Sequence, residues 1–310
     1  MQRRPDVTLT QLRYFVAAAS HSNMTKAAEQ LLVAQSAVSS AISQLEHQIG
    51  TQLFIRQPSR GLVLTAAGEE MLRDTQSLLA HLGEVLDTAR GHEDVVRGTV
   101  KLACFVTLTP FVLPSLISDL RRIHPELVVD VLETQAASVR AELRNGTCEL
   151  AITYDLALHP DLESEVIGHA PPHVILAADH RLAGADAIAL ADLADEPMVL
   201  LDLPSSRDYF LSMLRGVGVE PVVRYRSASY ETVRGLVARG HGFSILNQEP
   251  ADGGRTYDGG QVVAIPIADD VPVLPVVIVR LRGVRSTARA RAVADRARAH
   301  FASRRAAPTS

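Results

Sequence analysis

The most informative part of the chain is residues 23–50, NMTKAAEQLLVAQSAVSSAISQLEHQIG. The first half predicts a short helix with Asn23 as its N-cap. The second half predicts a helix over 35–49, which Gly50 ends. The apolar residues of this second helix recur at the spacing of one buried face: Val38, Ile42, Leu45 and Ile49. Two short helices joined by a tight turn are typical of a helix-turn-helix unit.

The other face of the second helix is rich in serine, which is a mediocre helix former. Small hydroxyls suit close approach to a DNA groove, because they bond phosphates and base edges, and Gln35 can contact adenine through two hydrogen bonds. A merely solvated face is the alternative. We interpret the face as a recognition surface for double-stranded DNA. The predicted DNA-binding residues are Asn23, Thr25, Lys26, Gln35, Ser36, Ser39, Ser40, Ser43, Arg56 and Arg60.

A helix precedes this unit and a hairpin follows it. Apolar residues at helical spacing predict a first helix from about 10 to 21, with Thr10 as its N-cap. Residues 53–65 are interpreted as strand, turn and strand, with the turn marked by Pro58 and Gly61. The sequence therefore predicts a mainly helical, winged helix-turn-helix domain.

Charge along the chain supports a DNA-binding domain over residues 7–66. The net charge is −4, whereas residues 1–66 hold six basic and three acidic residues, a balance of +3. A basic end on an acidic body suits a protein that approaches phosphates with one end. Arg56 and Arg60 lie at the base and tip of the predicted wing, where they could reach the DNA backbone or the minor groove.

About sixty residues of this region resemble the N-terminal signature of LysR-type transcriptional regulators. The matching runs are Ala27-Ala28-x-x-Leu31, Ala34-Gln35-Ser36-Ala37-Val38-Ser39-x-x-Ile42-x-x-Leu45-Glu46-x-x-Ile49-Gly50-x-x-Leu53-Phe54-x-Arg56 and Leu64-Thr65-x-Ala67-Gly68. Two positions depart from the family pattern: Ala34 replaces a frequent serine cap, and Ser40 replaces an arginine that several members carry. The base preference of a relative therefore cannot be transferred to this chain.

A long helix is predicted from the N-cap Thr65 to about Arg90. Apolar residues alternate along it at spacings of four and three, as in a coiled-coil seam. A helix packed on its own domain is the alternative. The resemblance implies a linker helix that pairs two subunits, over residues 67–91. The predicted dimer contacts are Met71, Leu78, Leu82 and Val85.

Residues 92–305, after the polar hinge 91–94, alternate short apolar strands with helices, which predicts a largely parallel α/β sheet and makes the whole chain an α/β protein. A basic helix over 286–304 is interpreted as a solvated face rather than a second DNA site. Nine strands are predicted, at 99–106, 127–133, 149–154, 173–178, 198–202, 221–225, 242–246, 262–267 and 273–281.

This region is also similar, more loosely, to the effector domain of the same family, through His124-Pro125-Glu126-Leu127, Gly146-x-x-Glu149-Leu150-Ala151-Ile152 and Leu236-Val237-Ala238-x-Gly240-x-Gly242. The resemblance implies two lobes of the type 2 periplasmic-binding-protein kind. Lobe I is predicted at 97–168 and 270–304, and lobe II at 169–269, with an effector in the cleft between them.

Hydroxyl side chains at the starts of several predicted helices indicate the chemistry of the effector. Helix N-termini offer unpaired N–H groups and a positive dipole end, so the cluster favours a carboxylate or another anion. The alternative is that each hydroxyl caps only its own helix. The predicted effector-binding residues are Thr107, Thr109, Gln135, Tyr154, Ser205, Ser206, Ser229 and Tyr230.

No catalytic motif, metal-ligand pattern or cofactor motif occurs, so we expect a regulator and not an enzyme. Cys104 and Cys148 suit buried, reduced thiols, although a cysteine-based redox sensor of the same family is the alternative function. No apolar run is long enough to span a membrane and no signal peptide is visible, so we expect a cytoplasmic protein. The expected partners are promoter DNA, a small anionic effector, further copies of the chain as a dimer or dimer of dimers, and RNA polymerase.

Overall fold

The computed structural model describes residues 6–57, 61–89, 96–156, 158–249 and 253–306. The N-terminal part packs three helices and a hairpin around one apolar core, in which the rings of Phe15 and Phe54 lie 5.4 Å apart. Its elements are α1 (Leu9–His21), α2 (Met24–Leu31), α3 (Gln35–Ile49), β1 (Phe54–Gln57) and β2 (Gly61–Leu64). Mainly helical packing with a two-stranded wing confirms the predicted winged helix-turn-helix.

Two of the three predicted helix caps in this part are confirmed and one is wrong. The Asn23 side chain accepts hydrogen bonds from the first turn of α2, and Gly50 ends α3 in the left-handed conformation. Thr8, rather than Thr10, caps α1, because Gln11 reaches back to the Thr8 backbone and completes a capping box. Thr10 has an arginine three residues ahead, which cannot accept that bond.

The helix α4 (Ala66–Ala89) follows the wing directly. Thr65 caps it as predicted, since its hydroxyl accepts a hydrogen bond from Gly68 N at 2.9 Å. Gly68 lies so close to the Leu53 carbonyl that no Cβ would fit, so the start of α4 is held against the wing. Arg90 and the predicted hinge 91–94 lie outside the described residues.

The larger sheet of the C-terminal part is mixed. Its five strands follow the order β4-β3-β5-β12-β6, and β12 runs antiparallel to both of its neighbours, so the prediction of a largely parallel sheet holds only for β3, β4 and β5. This sheet and its helices form lobe I. Its elements are β3 (Gly98–Phe105), α5 (Thr109–Ile123), β4 (Leu127–Thr134), α6 (Ala136–Arg144), β5 (Leu150–Tyr154), β6 (Leu162–Ala170), β12 (Leu274–Leu281) and α9 (Ala288–Ala306).

A second lobe, lobe II, is inserted between β6 and β12. Its strands β10, β7 and β11 are antiparallel, β8 and β9 are parallel, and an isolated bridge from Met198 to Phe243 joins the two groups. The elements are β7 (His173–Ala177), a 3₁₀ turn (Leu190–Leu193), β8 (Pro197–Leu201), α7 (Pro204–Gly216), β9 (Val222–Ser227), α8 (Tyr230–Ala238), β10 (Ser244–Leu246) and β11 (Val262–Pro266). In the part of the chain that the structure describes, no helix has the length and apolarity to cross a membrane.

Candidate DNA-binding surface and effector cleft

The helix α3 presents the predicted recognition face to solvent. Gln35, Ser36, Ser40 and Ser43 are exposed, and Ser39 is half-buried. The opposite face of α3, with Val38, Ile42 and Leu45, is buried in the N-terminal core. The packing of one face therefore orients the polar face outward.

The start of α3 adds backbone donors to this surface. Its N-cap residue is Ala34, whose side chain makes no capping hydrogen bond. The first N–H groups of a helix have no partner within the helix, and the dipole there favours negative charge. The residue that departs from the family pattern thus leaves the N-terminus of α3 open to a phosphate.

The residues predicted on α2 divide into a cap and two exposed side chains. The Asn23 Oδ1 accepts from Thr25 N at 2.8 Å and from Lys26 N at 3.1 Å, so this oxygen is engaged within the helix. The side chains of Thr25 and Lys26 are exposed beside it. Lys26 brings a positive charge to the start of α2.

The wing is tied to α3 by a side chain and to the end of α1 by a backbone hydrogen bond. The Glu46 carboxylate on α3 accepts from Leu53 N at 2.7 Å and from Phe54 N at 3.1 Å. Leu62 N donates to the Ser22 carbonyl at 3.1 Å. Arg56 belongs to β1, but its side chain lies outside the described residues, as do Pro58 and Arg60.

The predicted dimer contacts lie on two different parts of α4. Met71 packs against the N-terminal core, close to the buried Leu72. Leu78 is 50% exposed and Val85 is 48% exposed, while Leu82 is half-buried. The exposed apolar surface of α4 therefore begins at Leu78 rather than at Met71.

A hydrogen bond and a ring contact join the two lobes. The amide of Gln248, after β10, donates to the Tyr154 hydroxyl of the other lobe at 3.1 Å. The Tyr230 hydroxyl donates to the Gln248 carbonyl, and the Tyr230 ring meets the edge of Phe111 on α5 at 5.6 Å. Tyr154 and Phe111 belong to lobe I, whereas Gln248 and Tyr230 belong to the other lobe, so these contacts join the lobes.

Tyr154 is buried at the end of β5, and burial raises the pKa of its phenol to about 12, although hydrogen bonds from Thr107 and Gln248 act in the opposite direction. The phenol therefore keeps its proton at neutral pH. It can donate that proton to an acceptor bound in the cleft.

The other predicted cleft residues have different surroundings. The Thr109 hydroxyl donates to the Phe105 carbonyl at 3.3 Å, and Ser229 Oγ accepts from Thr232 N at 3.3 Å, so each also supports its own helix start. Ser206 is buried, Ser205 is half-buried and Gln135 is exposed.

Three helices of the two lobes start without a side-chain cap. The N-cap residues of α5, α6 and α7 are Leu108, Gln135 and Leu203, and none of their side chains bonds the helix end. Pro110 in α5 and Pro204 in α7 have no N–H, and Phe111 N already donates to the Leu108 carbonyl at 3.0 Å. Only the remaining N–H groups of these first turns are therefore available to another acceptor. Unsatisfied donors on both lobes favour a ligand with negative charge.

Sequence reasoning missed two residues of the contacts between the lobes, Phe111 and Gln248. Gln248 follows β10 as Gln135 follows β4. A polar residue just after a strand was therefore a signal that could have identified Gln248. Phe111 looks like any apolar helix residue. Asn247 was missed as well, and its amide donates to the Ala170 carbonyl at 2.8 Å and so ties the segment between the lobes.

Both cysteines are buried, and desolvation raises the pKa of each thiol to about 12. Cys148 also faces the carboxylate of Glu142, which disfavours a thiolate further. Among the residues described, no three His, Cys, Asp or Glu side chains are grouped so that they could hold a metal ion.

Comparison with family models divides the chain in the same order as the fold. Residues 9–69 match the bacterial regulatory helix-turn-helix protein of the lysR family, and residues 93–302 match the LysR substrate binding domain.

Relatives match over most of their length. The chain is 32% identical over 246 residues to the uncharacterized HTH-type transcriptional regulator YnfL of Escherichia coli, which covers 78% of this chain and 82% of YnfL. The crystal structure of HinK, a LysR family regulator from Pseudomonas aeruginosa, aligns with a TM-score of 0.65 at 34% identity, over 96% of this chain and 99% of HinK. A full-length OxyR variant from the same species aligns with a TM-score of 0.73 at 26% identity, over 94% and 98% of the two chains.

Proposed function

Since the chain belongs to the LysR family of DNA-binding transcriptional regulators, we propose that it reads promoter DNA through α3 and responds to a small anionic effector between its two lobes. The observation that carries the proposal is the bridge from Tyr154 through Gln248 to Tyr230, which joins two lobes that each have a helix start without a side-chain cap. A ligand that enters this cleft must engage both lobes. Dimer or dimer-of-dimers assembly and contact with RNA polymerase belong to the same proposal.

DNA recognition is assigned to the exposed face of α3. Gln35 and Ser39 would contact base edges, and the open start of α3, Lys26, Arg56 and Arg60 would contact the backbone. The support is the exposure of the serine face and the absence of a side-chain cap at Ala34.

The test is selection of binding sites from a random DNA library by the full chain. Gln35→Ala should relax the preference at one base position by about 1–3 kcal/mol, the value of a good bidentate contact. Gln48→Ala, at the far end of α3, is the matched control and should select the wild-type sequence. If Gln35→Ala also selects that sequence with equal stringency, α3 does not read bases as proposed.

The effector is proposed to be a small carboxylate or a similar anion. Three uncapped helix starts and the protonated phenol of Tyr154 all supply hydrogen-bond donors, and such a set suits an acceptor with negative charge. The hydroxyls of Thr107, Ser205 and Ser206 would complete the site.

The test is thermal unfolding of the full chain with a panel of mono- and dicarboxylates and their neutral amides. A ligand at about a hundred times its Kd adds about 2.7 kcal/mol to the free energy of unfolding. Tyr154→Phe and Thr107→Val should remove the shift, whereas Ser118→Ala, on the surface of α5, should keep it. Equal shifts with acids and amides would refute the anion, and an unchanged shift in both cleft variants would refute the site.

The environment of the thiols disfavours the redox alternative. A reactive cysteine needs access and a thiolate, whereas both thiols here are buried and their pKa is raised to about 12. The proposal therefore assigns the response to the cleft.

A further inference from the structure

The turn after α6 contacts the DNA-binding unit at two separate helices. The single hydroxyl proton of Ser20, near the end of α1, is shared between the Asn145 carbonyl at 2.8 Å and the Val16 carbonyl of its own helix at 2.9 Å. The Arg144 guanidinium forms an ion pair with Glu69 on the first turn of α4. Gly146, which follows Asn145, has a φ of +67° and lies directly against the Gln76 amide, so the Gln76 side chain would have to move to admit a Cβ.

The helix α6 is fixed within lobe I, so the turn moves with that lobe. Arg140 forms an ion pair with Asp161 at 3.0 Å. The Thr134 hydroxyl, at the end of β4, donates to the Glu142 carboxylate at 2.6 Å. Val139 is buried on the inner face of the helix. A displacement of lobe I would therefore also move the turn after α6.

One end of α6 lies at the cleft and the other lies at the DNA-binding unit. The helix begins directly after Gln135, a proposed effector residue, and ends nine residues later at Arg144. It thus provides a short, rigid connection between the effector site and α1 and α4.

Packing around this contact is incomplete on both sides. A cavity of about 90 Å³ separates α4 from lobe I next to Gln76 and Leu143. A second space of about 260 Å³ lies between Leu72 and Arg140. Within the described residues, the buried Nε2 of Gln76 has no hydrogen-bond partner. A contact made by few polar bonds beside open space can be released, unlike a close-packed core.

We propose that residues 144–146 form a latch that docks the DNA-binding unit on lobe I, and that the effector shifts the chain between latched and released states. The inference rests on the proposed function, because the effector that changes the latch is the one proposed to bind between the lobes. An effector can act in this way only by binding the two states with different affinity. The latch sets the direction in which α3 is presented, because α1 and α4 are packed on the same core as α3.

The first experiment tests the contact itself. A chain with Ser20→Cys and Asn145→Cys is treated with a short bismaleimide and analysed by denaturing electrophoresis. We expect an internal cross-link, which changes the mobility of the single-chain band. Neither single variant should show this change, since Cys104 and Cys148 are buried. Absence of a cross-link, or a product of two joined chains only, would overturn the latch.

The second experiment tests the energetic role of the ion pair between Arg144 and Glu69 by exchanging the two charges in the full chain. Affinity is measured for DNA selected by the wild-type protein. Glu69→Arg and Arg144→Glu should each change the dissociation constant at least fivefold, and the double variant should return it to within about twofold. Arg122→Glu, which alters an exposed ion pair on α5, is the control and should leave the affinity unchanged.

Each outcome separates the latch from the proposed function. Wild-type affinity in both single variants would refute the regulatory role. Failure of the wild-type chain to select any DNA would refute the proposed function, and the cross-link would then decide the latch alone. Thermal unfolding of each variant shows whether it is folded.

Discussion

Tyr154 and Ser229 were both predicted to line the cleft, but their surroundings give them different roles. Ser229 is exposed, and its hydroxyl accepts a hydrogen bond from Thr232 N, which caps α8. Tyr154 is buried and accepts the amide of Gln248 from the other lobe. A hydroxyl next to a helix start satisfies its own backbone first, because that partner is always within reach.

His173 is a titratable group that neither proposal uses. It lies at the start of β7, where its Nε2 is buried and has no hydrogen-bond partner among the described residues. Burial lowers the pKa of this histidine from 6.5 to about 4, although a backbone hydrogen bond at Pro171 acts in the opposite direction. The folded protein therefore holds His173 neutral over a pH range in which the unfolded chain binds a proton.

The sign of the resulting pH dependence follows from proton uptake. Between pH 6.5 and about 4 the unfolded state binds more protons, so the free energy of unfolding falls as the pH falls. The loss from this group is on the order of 3 kcal/mol, at about 1.4 kcal/mol for each pH unit. Denaturant titrations at several pH values should show a smaller loss for His173→Gln. His47→Gln, at an exposed position, should keep the wild-type slope, and equal slopes in all three proteins would contradict the prediction.

At the scale of elements, α4 serves two functions along its length. Its first turns belong to the N-terminal core, where Leu72 and Thr75 are buried. Its later turns expose Leu78, Val85 and Leu86. A helix that is apolar on a free face needs a partner, and a second copy of the same helix would cover this face.

We predict that Leu78→Asp combined with Leu82→Asp converts the assembly to monomers. The reason is that a charge on a paired helix seam loses its hydration without gaining a partner. Light scattering after size-exclusion chromatography measures the mass directly. Arg73→Asp, on the same helix outside the seam, should leave the assembly intact. An unchanged mass in the double variant would show that α4 does not pair the subunits.

The element that sequence analysis missed is β6. Its large buried aliphatic residues, Leu162 and Ile167, are separated by four residues that are not buried, so it lacks the apolar run of the central strands. The carboxylate of Glu165 is held by Arg298 of α9 at 2.6 Å. A strand at the edge of a sheet carries a weaker apolar pattern than a strand buried on both faces.

At the scale of the whole molecule, the relation of the two lobes depends on a few side chains. The Gln248 amide spans from lobe II to Tyr154, and Phe111 packs on Tyr230 across the same gap. Two chain segments also connect the lobes, between Ala170 and His173 and between Pro266 and Leu274. Such a connection allows one lobe to rotate on the other when the side-chain bridge changes.

We expect Gln248→Ala to loosen the lobes without unfolding either one. The change removes the amide donor to Tyr154 and leaves the backbone carbonyl that Tyr230 uses. Hydrogen exchange should quicken at the end of β5 and at the start of α8, while protection in the core of each sheet is retained. Gln261→Ala, on the surface of lobe II, is the control and should exchange as the wild-type chain. Unchanged protection at both cleft edges would contradict the bridging role.

The sequence by itself determined the features whose causes lie within a few residues. The bounds of α3, the caps at Asn23 and Thr65 and the N-terminal family signature depend on neighbours no more than four positions away or on a fixed spacing. Nine of the ten strands described after residue 95 were predicted for the same reason, because each contains a local apolar run, although no residue of β9 is buried.

Only the tertiary structure decided which of the predicted site residues meet. The bond from Gln248 to Tyr154 joins residues 94 positions apart, and the bond from Ser20 to Asn145 joins residues 125 apart. No local pattern encodes such pairs, since they exist only after the sheets have formed and the lobes have packed. The cleft bridge and the contact between lobe I and the DNA-binding unit are therefore properties of the folded chain.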